Sequence, residues 1–346
     1  MNIVVLAGGT STEREISIIS GTGVCKALRS RGHRAVLLDV FCGDSEVDAG
    51  NYFPLNYDVD KASAYMSSFN DSIAQTVRSR REFFGPNVID MCRKADIVFL
   101  ALHGANGEDG RLQAAFDLMG IRYSGTGYLS SALAMDKTIT KHMFTANGVP
   151  TAKAYIINRA EGAALPTEKG LRYPVIVKPA CGGSSVGITI ARDAAQFKES
   201  VDIAFALEDH GVVEEFIKGR EFSVAVIDGK AYPVIEIAPK KGFYDYKNKY
   251  EAGATIETCP AEITGEQTAR MQRHAVEAAK ALGIAAYGRV DFIMNEAGEM
   301  FALEANTLPG MTATSLVPQE AAVLGYSYDD LCELLVNISL KKYNRQ

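Results

Sequence analysis

Apolar residues come first in a run, Ile3-Val4-Val5-Leu6-Ala7, followed by the small polar stretch Gly8-Gly9-Thr10-Ser11-Thr12. Residues 13 to about 30 then carry apolar positions at helical spacing, and residues 35–40 form a second apolar run. This order predicts a strand–loop–helix–strand unit with a parallel sheet, whose ligand groups lie at the carboxyl ends of the strands. Residues 96–102 are a third, nearly continuous apolar run, as a buried parallel strand requires. Further helices are predicted over about 61–81, 130–147, 264–282 and 328–340. Residues 173–190 read strand, Gly/Ser loop, strand, and residues 212–226 read as two strands joined by a short turn.

The most informative pattern is Gly288 to Thr314. Two apolar-rich runs flank Glu296-Ala297-Gly298-Glu299, a hairpin signal. If Ala297-Gly298 is a two-residue turn, Asp291 faces Glu304 and Arg289 faces Asn306. Alternation then puts Asp291, Ile293, Ala302, Glu304 and Asn306 on one face, with Val290, Phe292, Met294, Phe301, Leu303 and Ala305 on an apolar opposite face. Like charges directly opposed across strands, with Cβ atoms about 4.5–5.5 Å apart, need compensation. Two carboxylates and an amide suit a hard divalent cation such as Mg²⁺, which usually arrives with phosphates; a half-exposed hairpin with a solvated acidic face is the plainer alternative.

Composition narrows the classes. The 346 residues suffice for roughly two or three domains. An apolar fraction of 47% with 23% charged residues suits a soluble globular protein. A net charge of −6 argues against nucleic acid as partner, and Arg78-Ser79-Arg80-Arg81 reads as a solvated helix face. Six scattered cysteines without a Cys-x-x-Cys pair suit reduced thiols and give no zinc signature. The opening residues carry no secretion signal, and no apolar run approaches the ~20 residues of a membrane helix, so a soluble cytoplasmic protein is expected.

Other stretches carry candidate chemistry. The first loop lacks Gly-x-Gly-x-x-Gly, and Glu13-Arg14-Glu15 at the helix entrance serves either a site or the helix dipole. His103 follows the third apolar run at its carboxyl end, ahead of the glycine-rich stretch to Gly110. Lys178 precedes Gly182-Gly183-Ser184-Ser185, and a strand follows. The Walker phosphate loop is therefore absent, yet a hairpin rich in N–H groups with a lysine at its base can cover a polyphosphate. Residues 242–250, polar and aromatic without a period, fit a lid. Residues 41–95 receive no chemical role.

In this order the pieces resemble the ATP-grasp ligases, and within them the D-alanine–D-alanine ligases. The resemblance rests on Gly8 to Ser17, on His103-Gly104 through Gly107-Glu108-Asp109-Gly110, and on Tyr123 to Gly127 with Met135-Asp136-Lys137. It continues through Val177-Lys178-Pro179, Gly183 to Gly187, Phe243 to Tyr246, and Lys249-Tyr250. Arg289-Val290-Asp291-Phe292, Glu304 to Thr312 and Ser315 to Pro318 complete it. Each motif alone is weak; seven collinear ones are specific.

The resemblance implies an α/β protein of three domains: an N-terminal parallel-sheet domain (1–125), a central ATP-grasp domain with the phosphate loop (126–214), and a C-terminal one with the lid and metal site (215–346). It implies ATP-dependent joining of two D-alanines through a D-alanyl phosphate and a tetrahedral intermediate. Asp291, Glu304 and Asn306 would hold two Mg²⁺ ions (or Mn²⁺). Lys137, Lys178, Ser185 and Lys249 would meet phosphate; Glu214, Phe216, Ile217 and Glu221 the adenosine. Arg289 and the Gly310 N–H match the oxyanion donors. Glu13 and His103 match the first-substrate side, Ser315 and Leu316 the second, and Ser184 and Tyr250 a hydrogen-bonded chain with Glu13. A homodimer is expected. Cys181 stands where relatives often carry larger polar residues and is given no role. The same fold also admits D-serine or D-lactate as second substrate, and a third reading is an inactive ATP-binding regulator.

Overall fold

The computed structural model describes residues 1–45, 47–48, 50–183, 186–239 and 255–345. Three sheets organise them. The first is parallel, in the order β2-β1-β3, from β1 (Asn2–Ala7), β2 (Arg34–Asp39) and β3 (Ile97–Leu100). Its residues are buried on both faces, which is why the sequence shows unbroken apolar runs. The helix Arg14–Ser30 crosses one face at Gly21, where an added Cβ would stand 2.6 Å from the Ala7 Cβ. The C-terminal helix Tyr328–Leu340 packs on the same side; Leu331, Leu335 and Val336 share a core with Ile18, Val24 and Leu28.

The helix expected over 61–81 is broken. Val59–Ser67 and Ile73–Ser79 are separate helices with a short 3₁₀ turn, Asn70–Ser72, between them. Ser68 and Ser72 donate their hydroxyls to the carbonyls of Tyr65 and Phe69 at 2.7 and 2.9 Å, competing with helix continuation. Arg14 also reaches this break, bonding the Met66 carbonyl and the Asn70 side chain at 2.8 Å each, while Asp39 takes its guanidinium at 2.6 Å. Arg14 thus anchors segment 41–95, leaving Glu13 at the helix entrance.

The second sheet is antiparallel, in the order β4-β7-β5-β6: β4 (Ala154–Asn158), β5 (Val175–Pro179), β6 (Thr189–Ala191) and β7 (His210–Glu215). The third contains β8 (Gly219–Ile227), β9 (Lys230–Ala231), β10 (Ile235–Pro239), β11 (Thr255–Thr258), β12 (Tyr287–Asn295) and β13 (Met300–Asn306). Its main path is β11-β10-β8-β12-β13, and β9 pairs with β8. The strands β7 and β8, adjacent in sequence, belong to different sheets, so Phe216-Ile217-Lys218 crosses between the sheets instead of closing a hairpin.

Two expectations need local correction. The helix predicted over 130–147 is two helices, Tyr128–Met135 and Lys137–Ala146. Asp136 has extended backbone and accepts the N–H groups of Thr138 and Ile139, capping the second helix. In the β12–β13 hairpin the two-residue turn is not formed. The Asn295 N–H bonds the Glu299 carbonyl, so the loop holds three residues, with Gly298 at φ 78°. Pairs 292–302, 293–301 and 294–300 are therefore one residue out from expectation, and a bulge at Leu303 restores Asp291 opposite Glu304 and Arg289 opposite Asn306. The miscounted loop and the unforeseen bulge cancel. Between them the faces exchange: Ala302 lies in the core with Val290 and Phe292, while Phe301 and Leu303 are only partly buried.

Candidate active site

Two cavities meet where the second and third sheets converge. The larger, about 360 Å³, is lined by Glu13, His103, Glu108, Arg289, Asn306, Gly310, Ser315 and Leu316. The second is narrower and more apolar. Ile176, Val186, Ile188, Phe216, Ile217 and Leu303 form its walls, and Lys178, Glu221 and Asp291 its polar groups. Lys137, Gly182, Gly183 and Glu304 line both, so the clefts join at those residues. One cleft suits a flat apolar group, the other small charged molecules, and Lys137 and Glu304 stand at the junction.

Each group is placed by its element. Lys137 opens a helix and donates its ammonium to the Gly182 carbonyl at 2.7 Å, 4.0 Å from Glu304. Arg289 and Asp291, two apart on β12, share a face, and the guanidinium binds the carboxylate through Nε and Nη2 at 2.9 and 2.8 Å. Ser223 and Asn306 donate to the same carboxylate at 2.6 and 3.1 Å. The compensation that opposed Asp291 and Glu304 require is thus supplied in part by Arg289 and Lys137. Among the described residues no group of three or more His, Cys, Asp or Glu converges. The oxygen donors of Asp291, Glu304 and Asn306 still fit a hard divalent cation, because the register holds all three at the junction.

Glu214 does not line either cleft. It is 2% exposed and takes Lys178, which lines the narrower cleft, at 2.8 Å and Lys141 at 3.1 Å. Burial raises the Glu214 pKa, but the two lysines outweigh it and hold the carboxyl below its ordinary range. Burial likewise works against the Lys178 ammonium, and Glu214, Glu304 and Glu221 reverse it, leaving Lys178 above the usual lysine value. Burial pulls Lys141 below the usual lysine value; Glu214 opposes this, and the like-charged Lys178 adds to it. The sequence puts Lys141 in the helix predicted over 130–147, one turn after Lys137, where a lysine is ordinarily a solvated charge; the fold instead buries it against Glu214.

On the other side, His103 is buried, bonded to Ser20 through Nε2 and to the Leu308 carbonyl through Nδ1, each at 3.2 Å. Burial lowers its pKa despite the nearby Glu13. Glu108 accepts the Gly104 N–H at 2.6 Å, and burial followed by Glu13 pushes its carboxyl up to about 8. In the sequence Glu108 stands out only as part of the stretch from His103 to Gly110. Ser315 stands just before the helix Leu316–Val323 without capping it through its side chain, which bonds Thr312 instead, and the helix N-terminus lies at the cavity. Ser184, Ser185, Lys249 and Tyr250 lie outside the described residues, as does the lid stretch 242–250.

The family models described as "D-ala D-ala ligase N-terminus" and "D-ala D-ala ligase C-terminus" match residues 2–126 and 143–337. This chain belongs to the D-alanine–D-alanine ligase family. A relative from Pediococcus pentosaceus named D-alanine–D-alanine ligase is 43% identical, with 99% of each chain covered. One of the same name from Geobacter sulfurreducens is 39% identical, covering 98% of this chain and 94% of its own. The Bacillus anthracis D-alanine–D-alanine ligase superposes with a TM-score of 0.78 at 30% identity, covering 100% of this chain and 99% of its own. A structure of that enzyme complexed with ATP matches at 0.78 and 29%, over 100% and 98%. VanG D-Ala:D-Ser ligase from Enterococcus faecalis also gives 0.78, at 29% identity over 98% and 99%. Membership makes the chain a ligase of ATP-grasp fold. No helix among the described residues is long and apolar enough to cross a membrane.

Proposed function

We propose that the chain joins two D-alanines to D-alanyl-D-alanine at the expense of ATP, supplying a precursor of bacterial cell-wall peptidoglycan in the cytoplasm. The observation that carries this is the convergence of Arg289, Asp291, Glu304 and Asn306 where the two cavities meet. The first D-alanine's carboxylate attacks the γ-phosphorus and the bond to ADP breaks. The second amino acid's amine, having lost a proton, attacks the acyl carbon, and the tetrahedral adduct expels inorganic phosphate.

Glu13 holds the first ammonium beside His103. The helix N-terminus at Ser315 and Leu316 receives the second carboxylate. Arg289 and the Gly310 N–H face the developing oxyanion, where preorganised donors act most strongly. Lys137 and Lys178 flank the triphosphate, Phe216 and Ile217 hold adenine, and Glu221 the ribose. Glu214 works one layer back, keeping Lys178 charged and in place. Ser184, Ser185, Lys249 and Tyr250 complete the phosphate loop and lid in this reading, on residue identity alone. Asp291, Glu304 and Asn306 would hold two Mg²⁺ ions, which when bound neutralise phosphate charge and polarise the γ-phosphoryl group.

ADP release should depend on D-alanine, and mass spectrometry should find the dipeptide. ATP turnover indifferent to D-alanine, or none in its presence, would remove the reading. The D-Ala:D-Ser enzyme superposes equally well, so the fold does not separate acceptors; the names of the full-length relatives favour D-alanine. Parallel assays with D-serine and D-lactate decide it. A homodimer belongs to the same reading; exposed Leu118 and Leu129 on two touching helices support an apolar contact, which light scattering tests.

A further inference from the structure

Two amino acids entering one cavity bring two ammonium groups and two carboxylates. On the proposed reading Glu13 takes the first ammonium, and Arg289, Gly310 and the Ser315 helix end supply donors. The second ammonium is left without an acid. Away from the Asp291–Glu304 junction and from Glu13 with its neighbour Glu108, the same cavity holds one more carboxylate, Glu257.

Glu257 lies on β11, beside Ile237 of β10, and lines the cavity together with Thr312, Thr314 and Ser315. Gln319 fixes it there. One turn after Ser315, whose carbonyl accepts the Gln319 N–H at 3.2 Å, the Gln319 amide donates both to Glu257 Oε2 and to the Thr314 carbonyl at 2.8 Å. Gln319 is neutral, so it orients the carboxylate without cancelling its charge. No lysine or arginine among the described residues pairs with Glu257. An oriented acid with no cation partner among the described residues, beside the donors for the second carboxylate, matches an α-ammonium.

We propose that Glu257 receives the ammonium of the second amino acid and thereby selects an amino acid over a hydroxy acid as acceptor. This rests on the ligase reading. D-lactate has no cation to offer and would leave the acid facing a hydroxyl, whereas D-serine keeps its ammonium. The residue therefore separates amine from hydroxyl acceptors, not one amino acid from another.

The test uses the full chain with ATP and varied D-alanine, resolving two KM values. Glu257→Gln should raise the KM of the second D-alanine about tenfold or more, the loss expected of one charged hydrogen bond. The KM values for ATP and the first D-alanine should stay within about twofold, since a uniform effect is what a structural role gives. Glu257→Asp, which keeps the charge, should recover most of the loss, and Gln319→Ala should reproduce part of it. In competition, Glu257→Gln should incorporate relatively more D-lactate. A second KM unchanged by Glu257→Gln, or all three constants moving together, overturns the assignment. Failure of the ligase reading looks different: the unaltered chain would release no ADP in response to D-alanine.

Discussion

Asp291 and Glu304 face one another across β12 and β13 at the last pair before the Leu303 bulge, and each has its own cation. Arg289 binds Asp291 through two bonds, while Lys137 stands 4.0 Å from Glu304. Asp291 is therefore the better compensated of the two, and on the proposed reading Glu304, which lines both cavities, is the carboxylate left for an ion. Glu304→Gln removes charge without removing volume. Turnover should fall by about 100-fold or more, since losing even a partner that only supports a metal ligand costs about 10–100-fold. The melting temperature should hold, because a partly exposed isosteric change costs within about 0.5 kcal/mol. ADP release and a thermal melt on the same sample check both halves, and full activity would take Glu304 out of the site.

Glu214 is the only described carboxylate between Lys178 and Lys141, whose side chains are 9% and 10% exposed. Removing one partner of a buried ion network strands the others, typically at about 3–5 kcal/mol. Glu214→Ala should lower stability by that order in urea denaturation. Because the folded pKa of Glu214 lies below its ordinary 4.5, its contribution is present above that value and is lost as pH falls through the folded pKa. The variant should accordingly have a flatter acid limb than the unaltered chain. Equal acid limbs would show that Glu214 adds nothing through its charge.

The sequence makes the site's chemistry more legible than its geometry. Alternation along β12 and β13 brings Asp291, Glu304, Arg289 and Asn306 together, yet the loop length was misjudged by one residue and the bulge went unseen. Glycine at 298 fits a two-residue or a three-residue loop, so local chemistry cannot choose between them. Glu214 illustrates the other limit. Its charge is visible in the sequence, but two lysines from a distant strand and helix converge on it only through tertiary packing. Similarly, β7 and β8 look like hairpin partners, because nothing in their residues announces that they leave for different sheets.

The helix break at Asp136 did carry a local signal: an aspartate followed by residues whose N–H groups it caps. Its side chain accepts from Thr138 N, Ile139 N and the Thr138 hydroxyl, which turns the chain so that Lys137 starts a new helix at the cavity junction. Asp136→Ala should cost about 1 kcal/mol of stability, the usual loss of an N-cap. It should also raise the KM for ATP more than that for D-alanine, because Lys137 loses its fixed starting point. Calorimetry and steady-state kinetics test the pair of effects; equal changes in both KM values would mean that the cap serves the helix alone.

Glu108 makes the sharpest pH prediction. It is half-buried, lines the substrate cavity near Glu13, and has a carboxyl pushed from 4.5 up to about 8 by burial first and by Glu13 second. The folded chain holds a proton there that the unfolded chain has released, so stability falls as pH rises between those two values and levels off above the higher one. Glutamine mimics the protonated acid and does not titrate. Glu108→Gln should match the unaltered chain below about pH 4.5 and grow progressively more stable than it toward about pH 8. Urea midpoints across that range measure the difference. Catalysis at neutral pH should survive the change if the neutral form is the working one, since glutamine can still accept the Gly104 N–H. A stability gap that stays constant with pH would show that Glu108 titrates normally, and that neither its burial nor Glu13 holds the proton in place.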